Sequence, residues 1–162
     1  MEKTIDNFIT KLLEKYKAAG ANIERKPALF ADETAQLVTI APFLNIKSYL
    51  YFLSQMGTLI LTLNDGSHIT FYGLDDWEEG MNIFDYAVPG KNGFHMFMDV
   101  CSPEGEILYF SYNSAEPDMD VVWIAPDCEG EEGHYTKTDM SFTDVLKLIE
   151  EEKIQALNKA YH

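Results

Sequence analysis

The chain has 162 residues, 46% of them hydrophobic and 13% aromatic, enough to bury a core as one folded unit and too apolar for a disordered segment. Its 27 acidic residues against 12 basic ones give a formal net charge of −15. That balance excludes the basic footprint of a nucleic-acid binder and is repelled by an anionic membrane surface.

The distribution of charge says more than the total. Residues 1–30 hold six bases and four acids, whereas residues 65–139 hold seventeen acids and only two bases, Lys91 and Lys137. The excess in that middle stretch equals the whole net charge. A basic protein partner would be steered towards it; the plainer explanation is solubility. No apolar run approaches the roughly 18 residues of a membrane span. The opening MEKTIDNFITKLLEKYK lacks the apolar core of a signal peptide. The two cysteines, Cys101 and Cys128, are too few for a disulfide scaffold. A cytoplasmic protein with two free thiols is expected.

Taken in order, Ile5, Phe8, Ile9, Leu12, Leu13 and Tyr16 form one stripe of an amphipathic helix within residues 1–20. Thr4 is its expected N-cap and Gly20 its stop. Residues 21–44, broken by Pro27 and Pro42, are less regular, with a helical turn expected at 32–37 and a short strand at 37–40. From Asn45 the pattern sharpens. Asn45 is the expected cap of a helix with Ile46, Tyr49, Leu50, Leu53 and Met56 on one face, stopped by Gly57. Residues 58–63 and 67–72 then read as two strands of a hairpin with Asp65-Gly66 at its tip.

Residues 73–80 form a loop with four carboxylates around one tryptophan, and a short strand is expected within 82–88. Phe94, Met96, Met98 and Val100 alternate against His95, Phe97 and Asp99, the signature of a strand. Residues 106–112 read as a central strand covered on both faces. Residues 119–125 read as the last strand, and 126–137 as an acidic loop. Ser141 with Asp144 announces a capped final helix with Phe142, Val145, Leu146 and Ile149 on its buried face. Glu150, Glu151 and Glu152 fall on its solvated side, before a frayed end. The expectation is a single α+β domain over 1–162. It has a mostly antiparallel central sheet of five to six strands, with N-terminal helices and a C-terminal helix packed on it.

Motifs for chemistry are sparse. The carboxylates of 75–79 lack the spacing and central glycine of a calcium loop, and no C-x-x-C pair accompanies Cys101, Cys128 and His134. There is no nucleophile elbow, phosphate loop or dinucleotide fingerprint, so no catalytic residue, metal or cofactor is assigned. A histidine inside a strand, as His68 and His95 are expected to be, is more often structural than catalytic. What remains is Asp75-Asp76-Trp77-Glu78-Glu79, an aromatic anchor ringed by negative charge, the combination that interfaces use. Trp77 capping the core is the structural alternative. Glu116, Asp118, Asp120 and the acids from Asp127 to Glu132 would extend the same acidic surface if the loops converge.

The run SYLYFLSQMG, the hairpin after it, FYGLDDW and the SFTDVL helix together resemble the SUKH superfamily, which groups fungal cell-wall-synthesis regulators with bacterial immunity proteins. Tyr49, Phe52, Leu53 and Gly57 match its Y-x-x-F-L helix and glycine turn. Gly73 matches its glycine after a strand, and Ser141, Phe142, Val145 and Leu146 match its closing helix. The resemblance spans residues 28–150. Two features depart from it. Pro42 stands several residues before the helix, and Met56-Gly57 replaces a doubled glycine. It implies a non-catalytic α+β protein that binds and neutralises a toxin, often a nuclease. Two other readings stand beside it: a small-ligand or peptide-binding regulatory domain of the same fold, and a hydrolase using paired carboxylates.

Overall fold

The computed structural model describes residues 1–25, 31–72, 93–116, 120–126 and 134–162. Among them seven strands form one antiparallel sheet in chain order: β1 (Asn22–Arg25), β2 (Leu59–Thr62), β3 (His68–Phe71), β4 (Phe94–Cys101), β5 (Ile107–Asn113), β6 (Trp123–Ala125) and β7 (Thr136–Lys137). Helices α1 (Glu2–Ala18), α2 (Ala31–Ile40) and α3 (Lys47–Met56) come from the N-terminal third. Helices α4 (Phe142–Glu150) and α5 (Ile154–Ala160) close the chain. The architecture is α+β, with seven strands where five to six were expected and two terminal helices where one was. No helix among the described residues is long and apolar enough to cross a membrane.

One face of the sheet meets the helices. Leu61, Ile69, Val100 and Leu108 line up across β2, β3, β4 and β5, as do Leu59, Phe71, Met98 and Phe110, and all are buried in the core. Against them α1 sets Ile5, Phe8 and Leu12, α3 sets Tyr49, Phe52, Leu53 and Met56, and α4 sets Phe142, Val145, Leu146 and Ile149. Tyr49 is the hub: its ring meets Phe97, Tyr112 and Phe142 edge-on at centroid separations of 5.5–5.6 Å. Such pairs add about 0.5–1.5 kcal/mol each beyond burial. The Tyr49 hydroxyl shares a 3.1 Å hydrogen bond with His95 Nε2, so the hub's one polar tip is satisfied inside the core.

Local rules predict some elements and mislead at others. The Asp65-Gly66 hairpin forms as read: the Asp65 carboxylate accepts from the Ser67 hydroxyl (2.5 Å) and amide (2.9 Å), which holds its carboxyl below the usual range. The capping box of α4 is complete, with the Ser141 hydroxyl accepting from the Asp144 amide and the Asp144 carboxylate accepting from the Ser141 amide. Asn45, in contrast, does not cap α3. It ends a 3₁₀ turn over Pro42–Leu44, its own N–H bonded to Pro42, and α3 starts after Ile46 without a side-chain cap. Helix α1 begins at Glu2, ahead of Thr4. Gly57 does end α3, at φ 63° and ψ −142°, a combination only glycine tolerates well, rather than in the ordinary left-handed helical region.

Three corrections are larger. Residues 37–40 belong to α2, and the strand of this region is β1, upstream of Pro27. The alternation of β4 breaks at a bulge between Met96 and Met98, which turns both Phe97 and Met98 to the helix side. Beyond Glu152 the chain forms α5 instead of fraying. The fully buried Asn158 amide donates to the Val100 and Glu106 carbonyls (3.3 and 2.9 Å), and Gln155 donates to Cys101 (3.0 Å), pinning α5 across the β4–β5 turn.

Candidate functional site

The second face of the sheet is partly buried, and its chemistry differs. Cross-strand pairing sets His68 beside Cys101 and Thr70 beside Asp99. Tyr72, just past β3, donates its hydroxyl to Asp99 Oδ2. His68 Nε2 stands 3.8 Å from Oδ1, beyond hydrogen-bond distance. Burial raises the Asp99 carboxyl above its usual range, while Tyr72, His68 and Thr70 act the other way and favour its anion. Further along, Phe94 stacks on Tyr135 at 3.7 Å and meets Trp123 edge-on at 5.5 Å.

Three polar atoms of this face are buried with no hydrogen-bond partner among the described residues: Asp99 Oδ1, Ser111 Oγ and Trp123 Nε1. Ser111 and Trp123 are direct cross-strand partners. Buried polar atoms left unpaired are uncommon and call for a reason. Sequence reading missed this cluster because its members lie about thirty residues apart and meet only through the β3–β4 register.

The cluster is not built for nucleophilic catalysis. Burial and the neighbouring Asp99 charge push the Cys101 thiol up, the opposite of an activated thiolate, and its Sγ lies 3.5 Å from the Ser102 carbonyl as a donor. No group of three or more His, Cys, Asp or Glu among the described residues is placed to hold a metal ion.

Of the acidic positions singled out from sequence, Asp75, Asp76, Trp77, Glu78, Glu79 and Asp118 lie outside the described residues, as do Cys128 and the strand expected within 82–88. Glu116 and Asp120 are described, and both make structural contacts. The Glu116 carboxylate, with only 6% of its side chain exposed, pairs with Lys137 at 3.0 Å. Asp120 accepts from the Phe142 amide at the start of α4 (3.0 Å) and from the Tyr112 hydroxyl (3.4 Å). An anionic oxygen there complements the positive end of the helix dipole.

These two residues mark one end of the sheet. There the Ser114 amide donates to the Gly93 carbonyl at 2.7 Å. Residue 93 follows the acid-rich stretch 73–92, and residue 114 precedes Glu116, Asp118 and Asp120. The attachment points of two acidic stretches are therefore neighbours in the fold. Compared with family models, curated proteins and solved structures, the chain matches none.

Proposed function

We propose that this protein is a non-catalytic cytosolic binding protein that engages a basic protein surface through its acidic stretches. By its resemblance to the SUKH superfamily, the partner is a toxin domain, a nuclease being the natural case. One observation carries the reading: seventeen acids against two bases between residues 65 and 139, with stretches 73–92 and 114–120 attached side by side at Gly93 and Ser114. A nuclease holds its substrate on a basic surface, and a negative protein competes for that surface. Asp75, Asp76, Glu78 and Glu79 supply the steering charge and Trp77 the anchor, and Asp118 adds to the charge. Glu116 and Asp120 serve this surface by fixing the end of the sheet from which it extends.

The test is to look for a toxin domain in the gene beside this one, and to follow its association with this protein by stopped-flow mixing across a salt series. Tight binding that weakens steeply with salt and blocks the toxin's nuclease activity supports the reading. Turnover of a substrate by this protein alone, or salt-independent association, contradicts it.

A further inference from the structure

The chain leaves α1 and α4 by the same turn. After α1, the Gly20 amide donates to the Lys17 carbonyl (3.1 Å) and the Ala21 amide to Tyr16 (2.9 Å). After α4, the Glu152 amide donates to Ile149 (3.1 Å) and the Lys153 amide to Leu148 (2.8 Å). This pattern puts its pivotal residue in the left-handed region, where glycine costs least. Gly20 fills that place at φ 74°, but its counterpart is Glu152, at φ 60°. Among the described residues Glu152 is the only non-glycine with positive φ. Strain of this kind is kept where the side chain does something glycine cannot.

The Glu152 carboxylate lies 2.7 Å from the Lys15 ammonium, and both groups reach solvent. Both also line a cavity of about 200 Å³ between the end of α1, the end of β2 and the α4–α5 turn. Its walls are mostly apolar, from Ala19, Leu63, Ile149 and Ile154, with the Tyr16 ring beside them. That volume falls below the roughly 300–1,000 Å³ of sites for drug-sized ligands, so an occupant must be small.

We infer that this cavity binds a free α-amino acid with an apolar side chain, its carboxylate on Lys15, its ammonium on Glu152 and its side chain against Leu63, Ile149 and Ile154. A zwitterion exchanges one ion pair for two and leaves neither protein charge alone. An anion without an amine would cost Glu152 its ion pair without supplying another; burial, then Glu152 and Asp65, raise the Tyr16 hydroxyl, so the site already carries negative charge. A cation without a carboxylate would strand Lys15. The site is independent of the acidic stretches.

The experiment titrates the whole isotopically labelled protein with L-leucine and follows amide resonances, with isocaproate, isoamylamine and glycine as ligands lacking the amine, the carboxylate or the side chain. The expected result is saturable shifts at Tyr16, Ala19 and Ile154, and at least about tenfold weaker binding of each analogue. Glu152→Gly relieves the strained backbone, so it should keep its melting temperature while losing leucine binding. Lys15→Met, which keeps the apolar stem, should lose it as well. The inference fails if leucine gives no saturable change up to about 10 mM, if isocaproate or isoamylamine binds as well as leucine, or if Glu152→Gly binds undiminished.

Discussion

One face of the sheet is buried and built mainly from hydrocarbon and aromatic rings, while the other is partly buried and carries a carboxyl, a histidine, a thiol and hydroxyls. On the helix side β2 to β6 contribute buried side chains that pack with those of α1, α3 and α4, and the polar tip of Tyr49 is answered by His95. On the opposite side Asp99 is held by Tyr72, and atoms of Asp99, Ser111 and Trp123 lack partners among the described residues. An unpaired buried polar atom costs about 1–3 kcal/mol. The first face supplies most of the core, and the second carries the polar cluster.

The sharpest way to break this contrast is to hollow the first face. Phe142 is fully buried against Tyr49, Phe52 and Phe97. Phe142→Ala should cost about 3–5 kcal/mol in urea unfolding; a loss below about 1 kcal/mol would mean that this side is not the core. Next comes Asp120, which joins β5 to the start of α4. Asp120→Ala strands the Phe142 amide and should cost about 1–3 kcal/mol. An unchanged urea midpoint would show that Asp120 is free for a surface role alone.

The smallest effect depends on pH. The Asp99 carboxyl is raised by burial, so its contribution is complete below the ordinary carboxylate range and is lost as pH rises through its value in the folded protein. Asp99→Asn cannot ionise. Its stability relative to wild type should therefore improve as pH rises from the ordinary carboxylate range through the raised value of Asp99 in the folded protein. Parallel stability curves would show that burial does not disfavour the Asp99 anion.

Much of the first face was legible in the sequence because its signals are local. The stripe of α3, the Asp65-Gly66 tip and the Ser141–Asp144 box each fit within one element. What escaped depends on partners far along the chain. Strand β1 is a four-residue edge whose side chains are mostly exposed, so it has no apolar period to detect, and it exists because Ile23 and Arg25 pair with Leu61 and Leu59. The bulge of β4 is set by pairing with β5 and overrode a clean alternation. Helix α5 is only seven residues long, held by Asn158 and Gln155 reaching backbone carbonyls over fifty residues away. The second-face cluster has the same origin: Thr70 and Asp99 are ordinary residues until the register sets them side by side. The acidic stretches were legible as charge, and the Gly93–Ser114 hydrogen bond adds that residues 93 and 114, which adjoin two of them, are neighbours.

Those stretches are where binding is placed, and one comparison tests it. Reversing four charges together, Asp75→Lys, Asp76→Lys, Glu78→Lys and Glu79→Lys, should slow association with the proposed basic partner by about tenfold or more at low salt and flatten its salt dependence. Melting temperature should not fall. The control, Glu2→Lys with Glu14→Lys on the exposed side of α1, should change the on-rate much less. Equal slowing by both variants, or none by the first, would contradict an acidic binding surface beyond Gly73.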